Sequence, residues 1–169
     1  MKMKKVFAGL VLFSATLALV ACGNSASKTE SSASSEAKTE KVETTDIKWQ
    51  DGTYTGESAF DDKGYKVVHS ITIENGKITA SNFNYEDKDG KLKADNEEYN
   101  KMMKEKSGVS SKEATEQLNK QLVDTQDAAS VEVVSGATHT SENFVKATEA
   151  LLAAAAEGKT DKVMFDFSK

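Results

Sequence analysis

The chain has 169 residues, 22 of them lysine and none arginine, against 27 acidic side chains, for a formal charge of −5 at pH 7. Such a balance argues against nucleic acid as a partner, because phosphate neutralisation needs clustered cations, and equally against adhesion to anionic lipid through the protein's own surface. The single cysteine, Cys22, excludes an intramolecular disulfide and a cysteine metal cluster.

Residues 1–21 read as a lipoprotein signal peptide. Lys2, Lys4 and Lys5 form a basic start, and the apolar run 6–20 is shorter than a comfortable membrane span. The ending Leu19-Val20-Ala21-Cys22 resembles a lipobox, in which the cysteine is diacylated and becomes the mature N-terminus. Two acyl chains on Cys22 meet the two-signal requirement for stable anchoring. The expected location is therefore the cell membrane, lipid-anchored and facing the extracellular side; an ordinary signal peptide with a chance cysteine is the alternative.

Residues 22–46 are rich in Ser, Thr, Ala, Lys and Glu, with Val42 the only larger apolar side chain. They cannot bury enough apolar surface to offset ordering entropy, which predicts a disordered linker. Fully extended it reaches roughly 80 Å, and as a coil it averages roughly 27 Å.

Residues 47–169 have the length of one domain with one core. Thr and Tyr in 53–60 favour a strand, Asp61-Asp62-Lys63-Gly64 a turn, and 65–74 alternate around Val67, His69, Ile71 and Ile73. Asn75-Gly76 is a strong hairpin signal. The return strand, 78–85, places Ile78, Ala80, Asn82 and Asn84 on one face and Phe83 and Tyr85 on the other. Asp87-Lys88-Asp89-Gly90 then turns the chain; as a calcium loop its ligand series is incomplete. His69 reads as a packed or exposed strand histidine, and two histidines so far apart make no metal motif.

Three helices are predicted next. Asp95 or Asn96 caps a segment to Lys106 carrying Tyr99, Met102 and Met103, ended by Gly108. Ser110 and Glu113 form a capping box for a helix with Ala114, Leu118 and Leu122 at four-residue spacing. Residues 131–134 read as a short buried strand. Thr140 or Ser141 caps the third helix, with Phe144, Val145, Thr148, Leu151, Leu152 and Ala155 on one face and Gly158 as its stop. Residues 163–167 alternate as a final strand. The expected class is α+β, an antiparallel sheet with helices packed on it.

Ser135-Gly136-Ala137-Thr138 is the segment with chemistry in it. Small residues after a β-branched run allow another molecule close to the backbone, and the helix start that follows offers unpaired N–H groups and a positive dipole end, suited to a phosphate. A Ser/Thr-rich helix cap is the plain alternative for the same letters.

Four stretches taken in order resemble the FMN-binding domain family, whose members occur in the sodium-translocating NADH:quinone reductase, in the Rnf complex and among small lipoproteins of extracellular electron transfer. They are Asp51-Gly52-Thr53-Tyr54-Thr55-Gly56, the hairpin 71–79, Tyr99-Asn100-Lys101-Met102-Met103-Lys104 and Val133-Val134 through Ser141. The resemblance implies FMN joined by its phosphate to Thr138, with Ser135, Gly136, Ala137 and Thr140 beside it. It implies a separate flavin transferase that builds the bond from FAD, and it places a helix with Tyr99, Met102 and Met103 near the flavin, although by spacing alone these three are a core stripe. Tyr54 is either a flavin neighbour or a packing residue. The family pattern has Asp three residues before the Ser; here Glu132 stands there as the transferase recognition residue, its carboxylate one methylene further out.

The implied role is an electron carrier rather than a stand-alone enzyme, fed by a membrane quinone-linked dehydrogenase or another redox partner. The alternative is a lipoprotein that captures a ligand or partner on the same fold without flavin.

Overall fold

The computed structural model describes residues 49–167. The expected signal peptide 1–21, Cys22 and the expected linker 22–46 lie outside the described residues. β1 (Gly52–Ser58), β2 (Tyr65–Glu74) and β3 (Lys77–Asp87) are followed by a 3₁₀ turn at Lys93–Asp95. Then come α1 (Glu97–Ser107), α2 (Ser111–Thr125), α3 (Thr138–Glu157) and β4 (Val163–Phe165). The sheet order is β3-β2-β1-β4; the first three strands are antiparallel neighbours, and β4 joins β1 in parallel. The class is α+β, as the pattern of the sequence predicts.

Local chemistry explains the boundaries. Asn75 and Gly76 both take positive φ, 54° and 70°, as a tight hairpin turn requires. The Asn96 side chain caps α1 by accepting from the Tyr99 N–H, and Gly108 closes it in the left-handed conformation. Ser110 and Glu113 complete the capping box of α2. At the Lys104–Glu113 pair, α1 is tied to the first turn of α2.

One sheet face packs on α2 and α3. Val67, His69, Ile71 and Ile73 of β2 meet Phe83 and Tyr85 of β3, Leu118 and Leu122 of α2, and Phe144, Thr148 and Leu151 of α3. His69, Phe83 and Phe144 form a ring cluster with centroids 5.2–5.4 Å apart. Full burial of a Phe or Leu side chain stabilises by about 1.5–3 kcal/mol, so this cluster anchors the sheet to α3. Tyr54 is a packing residue, 1% exposed, its hydroxyl donating to the Gln50 carbonyl.

The return strand departs from simple alternation. Ile78 is buried on the same side as Phe83 and Tyr85, because a register shift at Thr72/Ile73 puts an extra residue, Thr79, between the pairs Ile73–Ile78 and Thr72–Ala80. A bulge of this kind reverses the facing of everything beyond it. The outer edge of β3 is not left bare. The Asn119 carboxamide accepts from the Phe83 N–H (2.8 Å) and donates to the Phe83 carbonyl (3.4 Å), and Gln126 does the same for Ile78 at 2.8 Å each. Two amide side chains of the α2 segment thus stand in for a neighbouring strand.

That occupied edge accounts for a second departure. Residues 131–134 form no strand; Val131 and Val134 are buried while Glu132 and Val133 are exposed. Their backbone is held instead by Gln121, which accepts from the Glu132 N–H at 2.7 Å and donates to its carbonyl at 3.3 Å. A third departure concerns α3, which starts at Thr138 with Ala137 as its cap rather than at Thr140 or Ser141. The final strand stops at Phe165.

Candidate functional site

The loop 131–137 is pinned at three points. Val131, Val134 and Ala137 insert into the core. The buried Ser141 hydroxyl accepts from the Val134 N–H and donates to the Ala137 carbonyl, both at 3.0 Å, stapling the loop to the first turn of α3. Gly136 has φ +81° and lies so close to the end of α1 that a Cβ there would sit 2.1 Å from the Ser107 carbonyl oxygen. Only glycine fits both conditions.

Thr138 is the first residue of α3, and its side chain is exposed. The two hydroxyls that follow it in the first turn are engaged, Ser141 in the staple and Thr140 with the Tyr85 hydroxyl. The start of α3 also differs from those of α1 and α2. Ala137 supplies no side-chain cap, and the first turn carries no acidic residue, whereas Asn96 and Ser110 cap the other two helices and Glu97, Glu98 and Glu113 load their first turns. The first amide of α3 bonded back into the turn is Ser141 N–H to the Ala137 carbonyl (3.0 Å). The N–H groups of Thr138, His139 and Thr140 precede it, and the positive end of a 20-residue helix dipole lies behind them.

These residues open onto a groove of about 1000 Å³. Gly136, Ala137, Thr138, His139, Thr140 and Asn143 form its α3 wall, and Phe60, Tyr65, Tyr85, Tyr99, Met103, Phe165 and Phe167 give it aromatic and apolar surfaces. The Tyr85 hydroxyl accepts from Asn143 Nδ2 at 3.1 Å, and burial pushes the Tyr85 phenol pKa up, which keeps the phenol neutral. His139 is exposed, its Nδ1 4.0 Å from Glu142 and its Nε2 3.4 Å from Asn143. A phosphate at one end and a flat aromatic body along the rest is the ligand shape this lining fits.

The structure gathers Gly136, Ala137, Thr138, Thr140, Tyr99 and Met103 on the groove. Ser135 is exposed and not among the lining residues, and Met102 is 41% exposed on the outer side of α1. With a helical repeat of 3.6 residues, Met102 is turned about 100° from Met103 and is not among the lining residues. Glu132 presents its side chain to solvent, four residues along the loop from the groove wall. Lys93, Tyr65, Tyr85 and Asn143 belong to the site without any motif marking them. Asp61 and Asp87 turn their carboxylates onto following backbone N–H groups, and no metal-holding cluster occurs among the described residues.

A second recess of about 550 Å³ lies over the open face of the sheet, among Thr55, Ser70, Asn82 and Asn84. The helix that lines it, α2 through Lys112 and Thr115, is already capped by Ser110, and Phe83 is its one phenyl side chain.

The family model described as FMN-binding domain matches residues 63–153, just over half of the chain, from the β1–β2 turn to the fifth turn of α3. The 15 kDa lipoprotein of Treponema pallidum (strain Nichols) is 30% identical over 114 residues, covering 67% of this chain and 81% of that protein. The crystal structure of a Clostridium perfringens protein matches with a TM-score of 0.68 at 37% identity, over 71% of this chain and 99% of that one.

Proposed function

The chain belongs to the FMN-binding domain family, with FMN as its cofactor, and from that premise we propose a membrane-anchored surface flavoprotein that carries FMN as a phosphoester on Thr138 and passes electrons in extracellular electron transfer. The observation that carries the reading is an exposed threonine hydroxyl on the first residue of an uncapped 20-residue helix, opening onto an aromatic-walled groove. FMN, when bound, supplies the redox chemistry. The chain supplies attachment, orientation and exclusion of water.

Each part has its residue. The α3 amides and dipole would hold the phosphodiester, a monoanion, and Gly136 and Ala137 would let it approach the backbone. Attachment from FAD replaces the pyrophosphate bond by a Thr138 Oγ–P bond, with AMP leaving and the hydroxyl proton released. A flavin transferase provides the base, since the His139 nitrogens are directed to Glu142 and Asn143. The exposed Glu132, its backbone fixed by Gln121, is the group for that enzyme to recognise. Covalent attachment suits a protein outside the cell, where a dissociable cofactor is lost to the medium. The electron donor is a membrane quinone-linked dehydrogenase or another flavoprotein.

Co-expression with a flavin transferase, followed by denaturing electrophoresis, tests the attachment. The wild-type band should fluoresce, Thr138→Ala should be dark and Thr140→Ala should stay bright; the reverse pattern would move the attachment to Thr140. The lipoprotein name of the Treponema relative supports anchoring through Cys22. Cys22→Ala should transfer the protein from the membrane fraction to the medium, and retention at the membrane would rule out the acyl anchor.

A further inference from the structure

Three of the chain's four tyrosines converge on one ammonium group. Lys93 Nζ lies 4.6 Å from the ring centroid of Tyr65, 5.0 Å from that of Tyr85 and 4.5 Å from that of Tyr99. The rings come from β2, β3 and α1, and the lysine from the 3₁₀ turn between β3 and α1. All four line the same groove as Thr138. Among the described residues the ion pairs of the domain do not include Lys93; its ammonium is held by π faces rather than neutralised by a carboxylate.

The cage has an electrostatic consequence. Ring faces displace water from three sides of the ammonium yet leave its formal charge intact. A charge with less water around it acts through a lower effective dielectric than a solvated surface lysine. The groove also contains Lys63, Asp61, Asp62 and Asp166. Asp61 directs one carboxylate oxygen to the Lys63 and Tyr65 N–H groups, so its charge is partly spent on the turn.

We propose that Lys93 is the fixed cation of the flavin groove and sets the reduction potential of FMN bound there, raising it by favouring the form that carries the charge of the added electrons. The inference rests on FMN occupying this groove; it does not need the Thr138 bond. Electrons come from the donor or, in a titration, from the chemical reductant. Lys93 exchanges neither electrons nor protons and acts only through its charge.

The test compares wild type, Lys93→Met, Lys93→Gln and Lys93→Arg, each loaded by a flavin transferase, with loading checked by intact mass. The midpoint potential is read spectroscopically against a reference dye. Both neutral variants should shift the redox equilibrium at least tenfold toward the oxidised form, about 30 mV lower for a two-electron couple. Lys93→Arg, which keeps charge and ring stacking, should stay within threefold of wild type. Urea unfolding of the flavin-free chains separates a structural role: neutral variants that lose stability at unchanged potential would overturn the proposal. A chain that fails to load covalently counts against Thr138 alone. Titration of that chain with FMN still reads the same tenfold shift as the ratio of dissociation constants for the oxidised and reduced forms, and an unchanged ratio would overturn the proposal there too.

Discussion

Gly136→Ala should destabilise the domain by roughly 3 kcal/mol or more and cut flavin loading sharply. The backbone there has φ +81°, which by itself costs an alanine about 1 kcal/mol. The larger cost is steric: the new Cβ would stand 2.1 Å from the Ser107 carbonyl oxygen and 3.1 Å from its carbon, and neither is a flexible side-chain end. Either the end of α1 moves away or the loop before Thr138 does. Gly108 supplies the control, with the same φ of +81° and nothing within 4 Å of its added Cβ. Gly108→Ala should therefore lose only the backbone part. Urea unfolding of the three proteins reads the difference, and equal losses at both positions would show that the loop is not wedged against α1.

Acid sensitivity is the second large effect, and it belongs to His69. Its ring is 2% exposed between Phe83 and Phe144. The Thr148 hydroxyl donates to the Phe144 carbonyl at 2.8 Å, which leaves its oxygen to accept from His69 Nε2–H at 3.1 Å. Nδ1 is buried without a hydrogen bond of good geometry, and the nearby Asn82 backbone only partly offsets the burial. Burial accordingly pushes the imidazole from its ordinary 6.5 down to about 4.

In the unfolded chain this histidine takes up a proton as pH falls through 6.5; in the folded chain it does not until about 4. The unfolded state binds more protons between those values, so stability falls as pH is lowered through that window, by about 3 kcal/mol in all. Carboxylates held low by their partners, Glu57 by Lys66 and Lys162 and Glu113 by Lys104 and Ser110, lose their contribution only below their ordinary 4.5. The slope between pH 6.5 and 5 thus reports His69. His69→Leu should flatten it in urea titrations at stepped pH; a variant as acid-sensitive as wild type over that range would assign the slope to another group.

The parts legible in the sequence are those decided within a few residues. The Ser110–Glu113 capping box, the Asn75-Gly76 turn and the Gly108 and Gly158 stops form as read, because each is a local contest between side chain and backbone. The small-residue junction before Thr138 is legible for the same reason. What the sequence conceals depends on partners far along the chain. The β-branched 131–134 has strand propensity, but Asn119 and Gln126 already occupy the β3 edge and Gln121 takes the Glu132 backbone. Thr140 and Ser141 look like helix caps until the structure turns one toward Tyr85 and buries the other as a staple. The Lys93 cage joins residues 65, 85, 93 and 99, whose spacing has no meaning until the hairpin and α1 have folded against one another.

Peptide mapping of the loaded wild-type chain shows whether flavin is bonded to a single hydroxyl. After denaturation and proteolysis, the peptide containing residues 132–146 should carry the mass of FMN less one water, with fragment ions placing it on Thr138. A bare peptide from a preparation whose flavin is released by denaturation would contradict covalent attachment.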